Sequence, residues 1–250
     1  VFYSLAASGM MIVNKLCMKE AHLPSFFGIL QFAAAAVTVL LLSAAGPCPR
    51  DDVTLRWSRV KPYLLYSFIF VAVIYSNMQA LLYSSIATVI VFRSIVPLFV
   101  CVLDWAFLGR QLPSKTSFLS LVAVATFAIG YVASDKEFKM RGAAAYTWVS
   151  IYTLFLSVEM AYAKHIVGPQ LGFKSIWGPV FHNNLLSIGT IAVLMLITKE
   201  QVELARTTWN LRLCVYVGLS CFMSVVISYA GWKCRSLISA SSFTVVGVAN

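Results

Sequence analysis

Two adjacent carboxamides, Asn183 and Asn184, stand inside the apolar stretch from Ile176 to Thr198. Each brings amide donors and a carbonyl acceptor into a segment otherwise suited to hydrocarbon. Left unpaired there, such groups cost on the order of several kcal/mol each. They must face protein, water or a ligand, and a ligand edge that alternates donors and acceptors, such as a nucleobase, is the sharpest chemical reading. Arg93, in Phe92-Arg93-Ser94-Ile95-Val96-Pro97, sits near the middle of a second apolar run. A midplane Arg costs about 2.5–3.5 kcal/mol even on the lowest scales. It needs Asp104, Glu159 or an anionic substrate opposite it. Pro97 frees a carbonyl one turn back, beside Arg93, and favours a local bend that suits a cavity.

Other polar residues inside apolar runs are open to two readings. Glu159 and Tyr162 share a helical face by their spacing, and the carboxylate suits a proton-coupled step or a salt bridge to Arg93 or Lys164. Lys15 closes the first apolar run, where it can snorkel to the interface or reach a phosphate. His182 fits a hydrogen-bonded packing role. Near the end, Ser239 to Thr244 supply small hydroxyl residues for close helix packing. Gly247 leaves backbone bare for a bulky ligand that Asn250 could anchor. The six cysteines have no metal-like spacing and fit buried reduced thiols. No metal or cofactor site is expected. Asp104 is the lone Asp within a span and the three His residues are scattered, so the constellations of an intramembrane enzyme are missing.

The elements that carry these groups are membrane helices. Hydrophobic residues make up 60% of the chain and charged ones 11%, against about 25% charged in soluble proteins, and the mean hydropathy is +0.84. The net charge of +10 lies in short loops between apolar runs, which fits membrane topology rather than nucleic-acid binding. With about 20 apolar residues per span, nine candidates follow: 1–18, 25–46, 62–82, 85–108, 117–134, 143–166, 176–198, 211–231 and 236–250. The chain begins with Val1 and stops inside the last of these runs, as a fragment would. Loop Lys and Arg residues lean toward a cytosolic N-terminus.

An internal echo organises the spans. Lys15 precedes Pro24-Ser25-Phe26-Phe27-Gly28 as Lys164 precedes Ser175-Ile176-Trp177-Gly178-Pro179, an offset of about 150 residues or five spans. Ser85-Ile86-Ala87-Thr88 is echoed by Ser239-Ala240-Ser241-Ser242 at nearly the same offset. An odd number of helices per repeat inverts the second copy, the plan of alternating-access carriers. The expected architecture is an all-α polytopic membrane protein with inverted five-helix halves, 1–134 and 143–250, and a tenth span beyond the last residue.

Phe181-His182-Asn183-Asn184-Leu185-Leu186-Ser187 resembles the FYNNLLS motif of Golgi GDP-sugar transporters, and Gly247-Val248-Ala249-Asn250 resembles their GALNK motif, closest to the plant-type members. That resemblance runs from Asn14-Lys15 through Val91-Phe92-Arg93-Ser94 to Asn250. It implies a ten-helix drug/metabolite-type carrier in the Golgi membrane, exchanging a cytosolic GDP-sugar for luminal GMP without a cofactor. It also implies that Asn183 and Asn184 contact guanine and that Gly247 and Asn250 border the sugar and phosphates. Arg93, Lys15 and Lys164 are the physical candidates for the diphosphate. His182 and Val248-Ala249 depart from the motifs, and the second departure bears on which sugar fits. A UDP-sugar carrier, a sugar-phosphate antiporter or a general metabolite exporter of the same fold are the rival readings. Ala33 to Ala36 allow a helix interface, open to a second copy as in a homodimer or to internal packing.

Overall fold

The computed structural model describes residues 1–109, 111–134, 146–166, 171–238 and 243. The described residues form helices α1 (Phe2–Glu20), α2 (Pro24–Ala45), α3 (Trp57–Tyr83), α4 (Ile86–Arg93), α5 (Val96–Leu108), α6 (Lys115–Ser134), α7 (Thr147–Ile166), α8 (Trp177–Ile197), the short α9 (Glu200–Arg206) and α10 (Leu211–Leu237), with a 3-10 turn at Arg50–Val53. Helices are the open-ended solution to backbone hydrogen bonding in lipid. Among the described residues six spans are long and apolar enough to cross a membrane: α2, α3, α4 with α5, α6, α8 and α10. Helices α1 and α7, at 19 and 20 residues, are less apolar because they carry groups such as Asn14, Lys15 and Glu159. Side chains turned outward, including Leu41, Phe68, Phe127, Leu196 and Phe222, are large, hydrophobic and exposed, as a lipid-facing surface requires.

Three spans differ from their expected limits. Helix α3 begins at Trp57, and Pro62 lies inside it rather than opening it, at the loss of one early hydrogen bond. The run 85–108 is two helices: Ser94 and Ile95 form a turn between α4 and α5, and Pro97 lies in the first turn of the second. Pro97 has no N–H for the Arg93 carbonyl, so the expected bend becomes a break directly after Arg93. Helix α10 continues to Leu237, so residues 236 and 237 belong to it and no separate ninth span starts there. Apart from Phe243, the rest of 239–250 lies outside the described residues.

Helix α2 packs most extensively on α8, α3 on α7 and α1 on α10, and the flanking contacts of α3 with α8 match those of α10 with α2. The turn at residues 21–23 marks one face of the bundle and the loop at 46–56 the other. At the α2–α8 seam the Ile191 side chain packs directly on Gly28, where an added Cβ would stand 2.4 Å from Ile191 Cδ1 and make that side chain shift.

The starts of these two helices pose a common problem. Helices α4 and α10 cap themselves, Ser85 Oγ accepting from Thr88 N and Asn210 Oδ1 from Leu213 N. Helices α2 and α8 start after apolar Leu23 and Ile176 with no side-chain cap of their own, leaving orphan amides. Helix α2 borrows a carboxylate from the segment that follows α8, and the segment leading into α8 is held by a carboxylate from the loop that follows α2. Glu200 accepts from Ser25 N at 3.0 Å and Phe26 N at 2.9 Å. Asp52 accepts from Lys174 N at 2.8 Å and from Ser175 N and Oγ at 2.7 Å. Both acids are buried, and negative charge is favoured at a helix N-terminus. Arg59 reinforces the second face, donating to the Leu171 and Gly172 carbonyls and to Asp51 while its guanidinium covers the Phe173 ring. The hydrogen bond from Arg59 holds the Asp51 carboxyl below its ordinary range. Asp52→Ala should cost about 2–4 kcal/mol, because it leaves two amides and a hydroxyl unmet. Asp52→Asn should cost less. Thermal unfolding of the purified protein in lipid nanodiscs checks both.

Candidate functional site

A central cavity of about 160 Å³ lies between the helices. Its wall takes residues from α1, α2, α3, α4, α7, α8 and α10, and from Phe243. The cavity therefore joins both halves of the chain.

Asn183 lines this cavity. It is 2% exposed and its Oδ1 is buried with no hydrogen-bond partner among the described residues. Asn184 does not line it. Successive residues on an α-helix are about 100° apart, so the two carboxamides cannot aim at one point. Asn184 turns toward α10, where its Nδ2 donates to the Val180 carbonyl at 2.8 Å and to Ser228 Oγ at 3.4 Å. Ser228 does face the cavity, so Asn184 touches the site through one hydroxyl. His182 is in the aromatic packing of the seam, as its composition suggested: Nδ1 donates to the Gly178 carbonyl at 3.0 Å, and Phe173 and Tyr63 pack around the ring.

Two cations reach the cavity. Arg93, 9% exposed, lines it at the end of α4. The expected pairing of Arg93 with Asp104 or Glu159 is not what forms: among the described residues no carboxylate lies within 4.0 Å of it. Glu159 is instead held by Arg235, a residue that sequence pattern puts in a loop. Arg235 Nη2 lies 2.7 and 2.9 Å from the two Glu159 oxygens, and Nη1 donates to Tyr66 Oη at 2.8 Å. Tyr66 in turn donates to Glu159 and stacks on Tyr162. The guanidinium of Arg235 lies over the rings of Trp232 and Phe243. Glu159 and Arg235 thus neutralise each other, and Arg93 carries the net positive charge of the described wall. Tyr162, though on the face of Glu159, supports Tyr66 from outside the lining.

Lys15 is not in the cavity wall. Its Nζ donates to the Leu81 carbonyl and, at 2.8 Å, to that of Ser84. It satisfies the last carbonyls of α3, where the helix dipole favours a cation. Pro97 stands at the break after Arg93 rather than in the wall. Lys164 belongs to α7, but its side chain, like Gly247 and Asn250, lies outside the described residues. Sequence reasoning missed Arg235, Gln31 and Asn77, all three in the cavity wall. For Arg235 a signal existed in Trp232, Arg235 and the apolar residues at 237 and 238, which continue the α10 pattern past Lys233.

No protein-family model matches the chain. Curated relatives do. The chain is 36% identical over 256 residues to GDP-fucose transporter 1 of Arabidopsis thaliana, covering 99% of this chain and 73% of the relative. It is 32% identical over 256 residues to GDP-mannose transporter GONST3 of the same plant, covering 99% and 66%. The GDP-mannose transporter of Botryotinia fuckeliana is 22% identical over 278 residues, covering 99% and 68%. The chain therefore spans about two thirds to three quarters of these relatives' lengths. They are transporters by name, not enzymes. An identity of this size along nearly the whole sequence places the protein in the family of GDP-sugar transporters.

Proposed function

We propose that the protein exchanges a cytosolic GDP-sugar for luminal GMP across the Golgi membrane, by alternating access between two inverted halves, 1–134 and 143–250. The observation that carries this reading is Asn183, whose carbonyl has no partner among the described residues and which stands on the wall of a cavity between the halves. Its carbonyl can accept from the ring and exocyclic N–H groups of guanine while its amide donates to the guanine carbonyl oxygen. Uracil lacks the exocyclic donor and uses the site less completely. The inverted plan is supported by the matched packing pairs and by the reciprocal caps, since Asp52 and Glu200 stand at nearly the repeat offset on opposite faces. A ten-helix carrier needs the spans beyond the described residues. Asn184 acts through Ser228, and Gly247 and Asn250 complete the sugar and phosphate side by motif.

Arg93 receives the diphosphate. A buried cation without a carboxylate partner is costly until an anion arrives, so it favours loaded over empty carrier. Arg93→Gln should weaken both GDP-sugar and GMP by about 1.5–3 kcal/mol, on the order of 10- to 100-fold. Isothermal titration of the purified full-length carrier checks it. Lys164 is a second candidate for the same anion. Lys15, occupied at the end of α3, holds the wall in place.

The deciding assay loads liposomes containing the full-length carrier with GMP or UMP and follows uptake of labelled GDP-mannose and GDP-fucose. Uptake driven by internal GMP, and poorly by UMP, is the expected result. Uptake of UDP-sugars driven equally by UMP would replace this reading with that of a UDP-sugar antiporter.

A further inference from the structure

A second polar group lies in the cavity wall, made of carboxamides from three helices: Asn14 of α1, Gln31 of α2 and Asn77 of α3. Gln31 Nε2 donates to Asn14 Oδ1 at 3.0 Å, and Ser224 Oγ fixes the Gln31 backbone by donating to its carbonyl at 3.1 Å. That pairing leaves the Asn14 amide and the Gln31 carbonyl unused by the described residues. Asn77 Oδ1 is buried with no partner among the described residues. None of the three residues is charged, and no Lys or Arg hydrogen-bonds to them among the described residues. Donors and acceptors alternate here with no cation bonded to them among the described residues. That is the chemistry of a polyol, whose hydroxyls each donate and accept.

The position along the membrane normal agrees. Asn14 is six residues before the end of α1, Gln31 seven residues into α2 and Asn77 six before the end of α3, all counted from the 21–23 face. At 1.5 Å per residue all three lie about 10 Å deep. Arg93 enters from the same face and lies about 11 Å deep. Asn183 is six residues into α8 from the opposite face. Since α8 is about 31 Å long, Asn183 lies on the order of 10 Å beyond the trio. The uncharged hydrogen-bonding pole and the cation thus share one level of the bundle, and the base-reading carboxamide lies on the order of 10 Å beyond them.

We propose that Asn14, Gln31 and Asn77 form the sugar-reading pole of the carrier and set which hexose is accepted, with Asn77 the principal discriminator. The proposal rests on the GDP-sugar reading above and deepens it. Asn77 offers an unmet acceptor and an amide to a vicinal pair of hydroxyls. The Asn14–Gln31 pair, held by its internal hydrogen bond, presents a fixed donor and acceptor in the same cavity wall. A sugar whose hydroxyls miss these groups leaves them unpaired on loading, which is how a polar site rejects near-isosteres. The Val248-Ala249 departure in the second motif then shapes the sugar's environment rather than supplying its hydrogen bonds.

The test compares Asn77→Leu and the double variant Asn14→Leu/Gln31→Leu with the parent full-length carrier in liposomes. Each is assayed for GMP self-exchange and for GMP-driven uptake of GDP-mannose and GDP-fucose. In both variants uptake of the preferred GDP-sugar should fall at least tenfold relative to GMP self-exchange, and the ratio between the two sugars should move toward one. GMP self-exchange also reports that each variant has folded. Equal losses of GMP and GDP-sugar exchange, or an unchanged sugar ratio in both variants, would overturn the proposal and leave the trio as interhelical packing. A parent carrier that exchanges UDP-sugars and no GDP-sugar would instead remove the functional reading, and the proposal with it.

Discussion

Asn183→Leu should abolish most GDP-sugar uptake while leaving the empty carrier as stable as the parent, or more so. The carbonyl of this carboxamide meets no partner among the described residues, so its removal sheds a buried unsatisfied group from the apo protein. The loaded carrier loses the groups that meet the base edge. Two unmet polar contacts amount to about 2–4 kcal/mol, on the order of 30- to 700-fold in affinity. Asn184→Leu should show the reverse balance. Its Oδ1, like that of Asn183, has no partner among the described residues, but its amide is bonded to Val180 and Ser228 within the empty protein, so thermal stability falls first and affinity only through the displaced Ser228 hydroxyl. Nucleotide titration and thermal unfolding on the two variants separate the roles. Equal affinity losses from both would remove Asn183 from its singular place in the site.

Arg235→Met should be the most damaging single change to stability among those considered. It leaves Glu159, 1% exposed, as a buried charge supported by Tyr66 alone. Breaking one side of a buried pair costs about 3–5 kcal/mol. The double variant Glu159→Gln/Arg235→Met should recover a large part of that loss, because it removes the stranded charge as well as the pair. Thermal unfolding in nanodiscs of the parent, both single variants and the double gives the coupling directly. A double variant no more stable than Arg235→Met would mean that packing on Trp232 and Phe243, not charge, is what Arg235 contributes.

These two residues also mark where the sequence was legible and where it was not. Asn183 and Arg93 were visible because a polar group in an apolar run has few places to go, and both reach the cavity. Arg235 was hidden because the same logic assigns a basic residue beside Lys233 to a loop. It takes a carboxylate on another helix to make that Arg worth burying, and Glu159 lies 76 positions away. Span positions were legible from hydropathy, whereas the break between α4 and α5 needed Pro97 to be weighed against the packing around it. The Asn pair could be found but not resolved, since adjacency in sequence says nothing of which member a neighbouring helix will claim. Asn14, Gln31 and Asn77 were silent for a related reason: each is a single uncharged residue, and only the bundle places them together.

The borrowed caps have a consequence for how the protein is made. Helix α2 leaves the ribosome with two amides at its start whose carboxylate, Glu200, lies 175 positions downstream. At about 5–20 residues per second, that partner follows roughly 10–35 seconds later. Until then the N-terminal end of α2 must stay wetted at the membrane interface or be shielded by the insertion machinery. Asp52 is already waiting when the segment before α8 emerges. The two ends of the seam are therefore closed in a fixed temporal order, first at the 46–56 face and then at the 21–23 face. A nascent chain halted between those events is a half-zipped bundle with one helix end unsatisfied, the kind of intermediate that membrane quality control would recognise.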